Sequence, residues 1–143
     1  ANVISPALQA GKWVLCDRLT ASSIAFQSTG RSLPIEDVEM LNHFATGGLV
    51  PDLTVLLDLP VSESHRRQDV RNAQSQTKKD RMESENPNFH EAVRRRFLHQ
   101  SKKAGWWVLD AQLSPEVLVQ RLLDHLINLQ WLQIDQQIDH GRT

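Results

Sequence analysis

Residues 13–27 read WVLCDRLTASSIAFQ, an apolar run that ends on the adjacent charges of Asp17 and Arg18. A short apolar run without alternation, bounded by charge, is typical of a strand that is buried on both faces of a sheet. The two charges at its end have two interpretations. They form a structural ion pair at the end of the strand, or they form the floor of a binding site.

Two further apolar runs repeat this pattern along the chain. LTVLLDL spans 53–59 and WWVLDA spans 106–111, and these runs reach Asp58 and Asp110 as the first run reaches Asp17. We therefore predict three strands, which alternate with helical segments. Because such alternation is typical of α/β proteins, the sequence predicts a mostly parallel sheet with helices on both faces and ligands at the carboxyl ends of the strands.

Three helices are predicted from the spacing of apolar residues and from capping signals. Pro34 marks the start of the first helix and the pair Gly47-Gly48 its end, while Ser114 is an N-cap before the third. The second helix carries an arginine run, 94–96, which we expect to be a mostly solvated face. The stripes expected to be buried are Ile35, Val38, Leu41 and Ala45 in the first helix, Phe89, Val93 and Phe97 in the second, and Leu118, Leu122, Leu126 and Leu129 in the third.

The composition is that of one ordinary globular domain. The chain has 143 residues, 40% of them hydrophobic and 23% charged, with a formal net charge of -1, so no global basic field favours nucleic acid or a membrane surface. No apolar run approaches the ~20 residues that span a bilayer, and residues 1–12 lack a leader pattern. Cys16 cannot form an internal disulfide and is expected to be buried. The sequence therefore predicts a single cytoplasmic domain that binds neither nucleic acid nor membrane.

Residues 65–81 depart from the regular pattern because no apolar stripe holds them down. They include six Arg or Lys and two Asp, a net charge of +4, and polar residues fill the middle. A solvated loop is one interpretation. The other is a mobile lid that closes over a polyanion and neutralises phosphate charge with arginine. The position after the strand at 53–59 favours the lid.

Several fragments, taken in order, carry a resemblance to one family. DRLTASSIAFQ (17–27) resembles the D-R-x-x-x-S-x-x-A-Tyr/Phe-Q signature of thymidylate kinases. PDLTVLLDLP (51–60) is similar to the P-D-L-T-x-x-L-D-x-x-P strand of that family, and KKDRMESENPNF (78–89) is similar to its lid. The resemblance extends from Ala10 to about Leu129. It implies a three-layer, P-loop-kinase-like α/β fold.

The resemblance implies a nucleoside monophosphate kinase that transfers the terminal phosphoryl group of ATP to dTMP and gives dTDP. ATP would be the phosphoryl donor, Mg²⁺ the accompanying ion, and the complete enzyme a homodimer. Two alternatives remain. The protein is a kinase of another nucleotide or deoxynucleoside, or it is a non-catalytic remnant that binds nucleotide.

The family's phosphate-binding loop, G-x-x-x-x-G-K-[ST], has no counterpart in this sequence. Gly11-Lys12 has no glycine five residues before it, and Trp13 stands where Ser or Thr is required. The resemblance therefore implies the C-terminal two-thirds of an enzyme, with the acceptor site and a lid at about 65–85 but without the first strands. Mg²⁺ would be held mainly by the nucleotide and by the missing loop.

The resemblance also implies roles for individual residues. Arg18 would hold the acceptor phosphate and Asp17 would orient it, while Ser22 and Ser23 would face the thymine or the sugar, with helix capping as the alternative. Leu19 departs from the Tyr, His or Phe that the family usually has there. Phe26 and Gln27 would line the base pocket. The catalytic arginines would be Arg18, Arg67 and Arg71, and the residues that contact ATP from the lid would be Arg66, Arg71 and Arg81. No metal ligand is expected.

Overall fold

The computed structural model describes residues 3–30, 33–75 and 85–132. Their elements, in chain order, are α1 (Ile4–Gln9), α2 (Thr20–Gly30), α3 (Ile35–Thr46), β1 (Val55–Asp58), α4 (Val61–Ser75), α5 (Pro87–Ala104), β2 (Trp107–Asp110) and α6 (Pro115–Asn128). The chain divides into two compact units, Ala1–Leu109 and Asp110–Thr143. The first unit holds almost every residue for which a role is predicted above.

β1 and β2 form a small parallel sheet and confirm two of the three predicted strands. The amide of Trp107 donates to the carbonyl of Thr54 at 3.0 Å, where the pairing begins. Leu109 is 4% exposed, but Leu57 is 56% and Val108 41% exposed, so the expectation of burial on both faces is wrong for these residues. Among the described helices of the first unit, α5 is the one that packs closely on β1.

The apolar run at 13–17 is not a strand in the structure, and that prediction is wrong. Its backbone is irregular, Trp13 is 63% and Leu15 99% exposed, and Cys16 is exposed rather than buried. A strand needs the backbone hydrogen bonds of a neighbour. In the described part of the chain, β1 and β2 pair with each other and neither pairs with this run, so it lacks those bonds.

Three helices form the packed part of the first unit, with α2 lying against both α3 and α5. Ala25 of α2 is fully buried, because a methyl side chain lets the neighbouring helices approach closely. Val38 of α3 and Val93 of α5 are 5% and 6% exposed. The position of α2 is therefore set from two sides.

The ends of α3 confirm the sequence prediction, but its buried face differs from the predicted stripe. Pro34 precedes the helix, and Gly47 ends it in the left-handed conformation with φ of 65°. Leu41, however, is 62% exposed. Asn42 faces α2 instead, and its Nδ2 donates to the carbonyl of Thr20 at 3.3 Å. Contact with α2 therefore selects a face that includes a polar residue, which apolar spacing does not reveal.

Residues 65–75, expected to be irregular, belong to α4. Glu63 accepts hydrogen bonds from Arg66 at 2.7 Å and from Arg67 at 2.8 Å, at the i+3 and i+4 spacings that stabilise a helix. α4 also packs against α5. The rest of the basic segment, 76–81, lies outside the described residues.

The helix starts at α5 and α6 are capped by side chains. Asn86 Oδ1 accepts from the amide of Phe89 at 2.9 Å, and Ser114 Oγ accepts from the amide of Val117 at 3.4 Å, as predicted for Ser114. α6 lies in the second unit. Its predicted stripe is only half-buried, and Leu129 is 41% exposed. Across 3–30, 33–75 and 85–132, no helix has the length and apolar character needed to cross a membrane.

Candidate functional site

The candidate site begins at the bend that leads into α2. Asp17 and Arg18 lie in this bend with exposed side chains, three and two residues before the helix starts at Thr20. Arg18 has a φ of 64°, a left-handed conformation that costs a residue with a Cβ atom about 1–2 kcal/mol. Within the described residues, neither Asp17 nor Arg18 forms an ion pair. The structural ion pair is therefore not formed between them.

Arg18 lies over the ring of Phe26, one of the residues predicted to line the base pocket. The guanidinium carbon of Arg18 is 5.9 Å from the ring centroid, which is within the range of a cation–π contact. The ring of Phe26 packs on two rings of α5, Phe89 at 6.3 Å and Phe97 at 6.2 Å between centroids. We call Phe26, Phe89 and Phe97 the aromatic cluster. The structure thus brings Arg18 and Phe26 together and supports them from α5.

Ser22, Ser23 and Gln27 lie on α2, and all three are half-buried. Ser22 and Ser23 belong to the first turn of this helix, where backbone N–H groups have no partner within the helix and favour an anion. Among the described residues, neither hydroxyl makes a capping hydrogen bond. The capping alternative therefore has no support here.

Two of the predicted arginines on α4, Arg66 and Arg67, are hydrogen-bonded to Glu63. Arg66 donates to Glu63 through Nε and Nη2 at 2.7 and 2.8 Å, and Arg67 donates through Nε at 2.8 Å. The hydrogen bond from Arg66 has the largest effect on the pKa of Glu63 and that from Arg67 the next largest, and together they lower it to about 2. The hydrogen bond to Glu63 also raises the pKa of Arg66. Arg71 lies further along α4, and Arg81 lies outside the described residues. Bonding to Glu63 holds Arg66 and Arg67 along the helix surface.

An ion pair between β1 and α5 was missed by the sequence analysis. Arg94 Nε donates to Asp58 Oδ1 at 2.7 Å and Nη2 to Oδ2 at 2.9 Å, with side chains 28% and 22% exposed. The hydrogen bond from Arg94 is the main reason that the pKa of Asp58 is lowered, and the pKa of Arg94 is raised in return. The prediction of a solvated face for 94–96 is therefore wrong at Arg94. Its position next to buried Val93, at the border of the apolar stripe, was the available signal.

A shallow cavity of about 180 Å³ lies beside this ion pair, between β1, α4 and α5. His65 and His90 meet there with their rings nearly perpendicular and 5.3 Å apart. None of the predicted substrate-binding residues lines it, so this cavity is not the candidate site. In the part of the chain that the structure describes, no group of three or more His, Cys, Asp or Glu residues could hold a metal ion.

Comparison with known proteins identifies the family. The family model for thymidylate kinase matches residues 1–122 of the chain. The chain belongs to the thymidylate kinase family. Curated thymidylate kinases that it resembles include those of Bdellovibrio bacteriovorus, 59% identical over 87% of this chain, and Desulfovibrio desulfuricans, 47% identical over 82%.

The match covers most of this chain but a smaller part of its relatives. The chain spans 59% of the Bdellovibrio bacteriovorus thymidylate kinase and 56% of the Desulfovibrio desulfuricans one. Family membership confirms the resemblance that the ordered motifs indicate. The helices and small parallel sheet of this thymidylate kinase family member agree with an α/β fold.

We expect Asp58→Asn to lower the free energy of unfolding of this family member by about 1–2 kcal/mol. This magnitude lies between the ~0.2–1 kcal/mol of an exposed pair and the ~3–5 kcal/mol lost when a buried pair is broken. Urea unfolding of the wild type, Asp58→Asn, Arg94→Gln and the double variant measures it. Glu63→Gln, which removes two pairs with more exposed arginines, Arg66 and Arg67, is the control and should cost less. Additive losses for Asp58→Asn and Arg94→Gln would contradict the coupling.

The same pair predicts a dependence of stability on acid pH. The pKa of Asp58 is lower in the folded protein than its ordinary value of 3.8. Its contribution is therefore fully present above that value and is lost as the pH falls below it toward the lower pKa of the folded state. In unfolding midpoints measured between about pH 7 and 2.5, the wild type should lose more stability below about pH 4 than Asp58→Asn. Parallel curves for the two proteins would contradict this expectation.

Proposed function

We propose that the protein to which this chain belongs is a nucleoside monophosphate kinase that transfers the terminal phosphoryl group of ATP to dTMP and gives dTDP. This chain supplies the acceptor site and a lid at about 65–85. The observation that carries the proposal is the placement of Arg18 over Phe26 at the start of α2, in a chain of the thymidylate kinase family.

The acceptor nucleotide would lie along the start of α2. Arg18 would hold its phosphate, aided by the unpaired N–H groups of the first helical turn, and Asp17 would orient the phosphate-binding group. The base would lie near Phe26 and Gln27, with Ser22 and Ser23 close to the thymine or the sugar. The exposed guanidinium and its left-handed backbone support this assignment, because a strained, solvent-facing residue contributes little to packing.

The chemistry asks the protein mainly to align two anions and to cancel their repulsion. A phosphate oxygen of dTMP forms a bond to the terminal phosphorus of ATP. The bond from that phosphorus to the bridging oxygen breaks, and ADP leaves with the electron pair of that bond. The basic segment, with Arg66, Arg67, Arg71 and Arg81, would cover the phosphates and exclude water. To reach the phosphates, Arg66 and Arg67 would have to release the carboxylate of Glu63 and bind phosphate oxygens instead. Both partners are anions.

Mg²⁺ would neutralise charge on the ATP phosphates when bound. The described residues hold no cluster of carboxylates for it, and the sequence contains no G-x-x-x-x-G-K-[ST] loop. The donor set of the described residues therefore does not fit a resident magnesium ion, and we assign none of them to one. We further propose that the complete enzyme has the three-layer sheet of P-loop kinases and acts as a homodimer in the cytoplasm.

Steady-state assays with the complete protein test the proposed function. With ATP and Mg²⁺ in constant excess, we expect kcat/KM for dTMP to exceed that for dCMP and for thymidine. A preference for dCMP or for a deoxynucleoside would assign the protein to another nucleotide or nucleoside kinase. Binding of dTMP in calorimetry without any ADP formation would instead show a non-catalytic nucleotide-binding protein.

A further inference from the structure

We propose that Phe89 is a positioning residue for the acceptor phosphate, acting through Phe26 on the guanidinium of Arg18. This inference rests on the proposed function and adds a residue from α5 to a site otherwise built from the bend and α2. Phe89 itself would touch neither substrate.

The first step of the argument is that Arg18 has little else to hold it. Its side chain is exposed and forms no ion pair among the described residues. The carbonyl of Arg18 accepts a hydrogen bond from the thiol of Cys16 at 3.4 Å, but this bond orients the backbone and not the guanidinium. The ring of Phe26, 5.9 Å from the guanidinium carbon, is therefore the described contact that restricts where the charge can lie.

The second step is that α5 determines where the ring of Phe26 lies. Phe97 meets that ring edge-on, with 80° between the planes, and Phe89 meets it at 40°. Phe89 lies in the first turn of α5, and its own amide is bound by the Asn86 cap at 2.9 Å. A ring held on a capped helix start is a fixed support, because the backbone that carries it has few alternative positions.

The third step concerns the geometry of recognition. A guanidinium binds a phosphate through two parallel hydrogen bonds, which require a defined direction of approach. An arginine whose head group is already restricted loses less freedom on binding than one that samples the solvent. A ring stack that ends on α5 therefore strengthens phosphate binding without contributing a hydrogen bond.

Kinetics of the complete protein test the inference with Phe89→Leu, which keeps apolar volume but removes the ring. We expect KM for dTMP to rise about two- to five-fold, in line with the strength of an exposed cation–π contact, while KM for ATP stays unchanged. Phe89→Tyr keeps the ring and should stay close to wild type. Val93→Ala, a buried change on the same helix, should lower the melting temperature without altering KM for dTMP.

Two further measurements show whether Phe89 acts through Arg18. Inhibition by thymidine, which shares the base but lacks the phosphate, should weaken less in Phe89→Leu than the binding of dTMP does. In a double-mutant cycle, Phe89→Leu should add nothing to the effect of Arg18→Ala. A full additive effect, a loss of thymidine affinity as large as the rise in KM for dTMP, or an unchanged KM for dTMP in Phe89→Leu would overturn this inference. An unchanged KM for dTMP in Arg18→Ala would instead overturn the phosphate role in the proposed function.

Discussion

Arg18→Ala in the complete enzyme is expected to lower kcat/KM for dTMP by about 10- to 100-fold. The loss corresponds to the ~1.5–3 kcal/mol of a hydrogen bond between charged groups, since ~1.4 kcal/mol changes an equilibrium ten-fold. The unfolding free energy should change by less than about 0.5 kcal/mol, because the side chain is exposed and alanine keeps the same backbone strain. Steady-state kinetics and urea unfolding of one preparation measure both quantities.

Arg18→Gly separates binding from stability more sharply than alanine does. Glycine adopts a φ of 64° without the cost of about 1–2 kcal/mol that a Cβ atom carries, and this gain offsets its greater freedom in the unfolded chain. We therefore expect Arg18→Gly to unfold no more easily than the wild type while it loses dTMP turnover like Arg18→Ala. Arg95→Ala, which removes an exposed arginine of α5, is the matched control and should leave both quantities unchanged. Equal losses of stability and turnover in Arg18→Ala would indicate a structural role.

The second large effect concerns the 143-residue chain when it is produced by itself. With dTMP, ATP and Mg²⁺ we expect no ADP formation above the rate without protein. Phosphoryl transfer in this family depends on a loop that cradles the ATP phosphates, and the sequence contains no such loop. A coupled assay for ADP, on a preparation whose intact mass matches the chain, measures this.

The complete protein, assayed in parallel, is the control for that measurement. Trp13, Leu15 and Phe44 are 63%, 99% and 87% exposed, so the isolated chain is also expected to self-associate in size-exclusion chromatography. Robust ADP formation by the isolated chain would contradict both the assignment of the phosphate site and the fold proposed for the complete enzyme.

Local signals predicted those parts of the fold that depend on local interactions. The cap at Ser114 and the glycine end of α3 are short-range hydrogen-bonding and backbone preferences, and both are confirmed. The strand at 53–59 is confirmed because its partner β2 is present. The run at 13–17 has the same composition but no described neighbour, and it is irregular. Composition indicates that a segment can form a strand, whereas pairing decides whether it does.

The candidate site was likewise predictable only in part from the sequence. The motif at 17–27, taken in order with those at 51–60 and 78–89, carried the resemblance to the family, which the comparison with known proteins confirms. The aromatic contacts that hold Phe26 come from α5, more than sixty positions further along the chain. No local pattern links positions that far apart, so neither Phe89 nor the partner of Asp58 could be assigned from spacing.

The sequence by itself indicated the family, the helices α3, α5 and α6, and the strands β1 and β2, but it placed Arg18 at the end of a strand that the structure does not form. Only the tertiary structure decided that Arg18 lies on Phe26, that Arg94 pairs with Asp58, and that Arg66 and Arg67 are bound to Glu63. The pairing of Arg94 with Asp58 depends on which faces of α5 and β1 meet, whereas the bonds to Glu63 lie within α4 and form because residues 61–75 are helical. Packing within the first unit selects which face of a helix is buried. In α3, for example, Asn42 faces α2 while Leu41 is exposed.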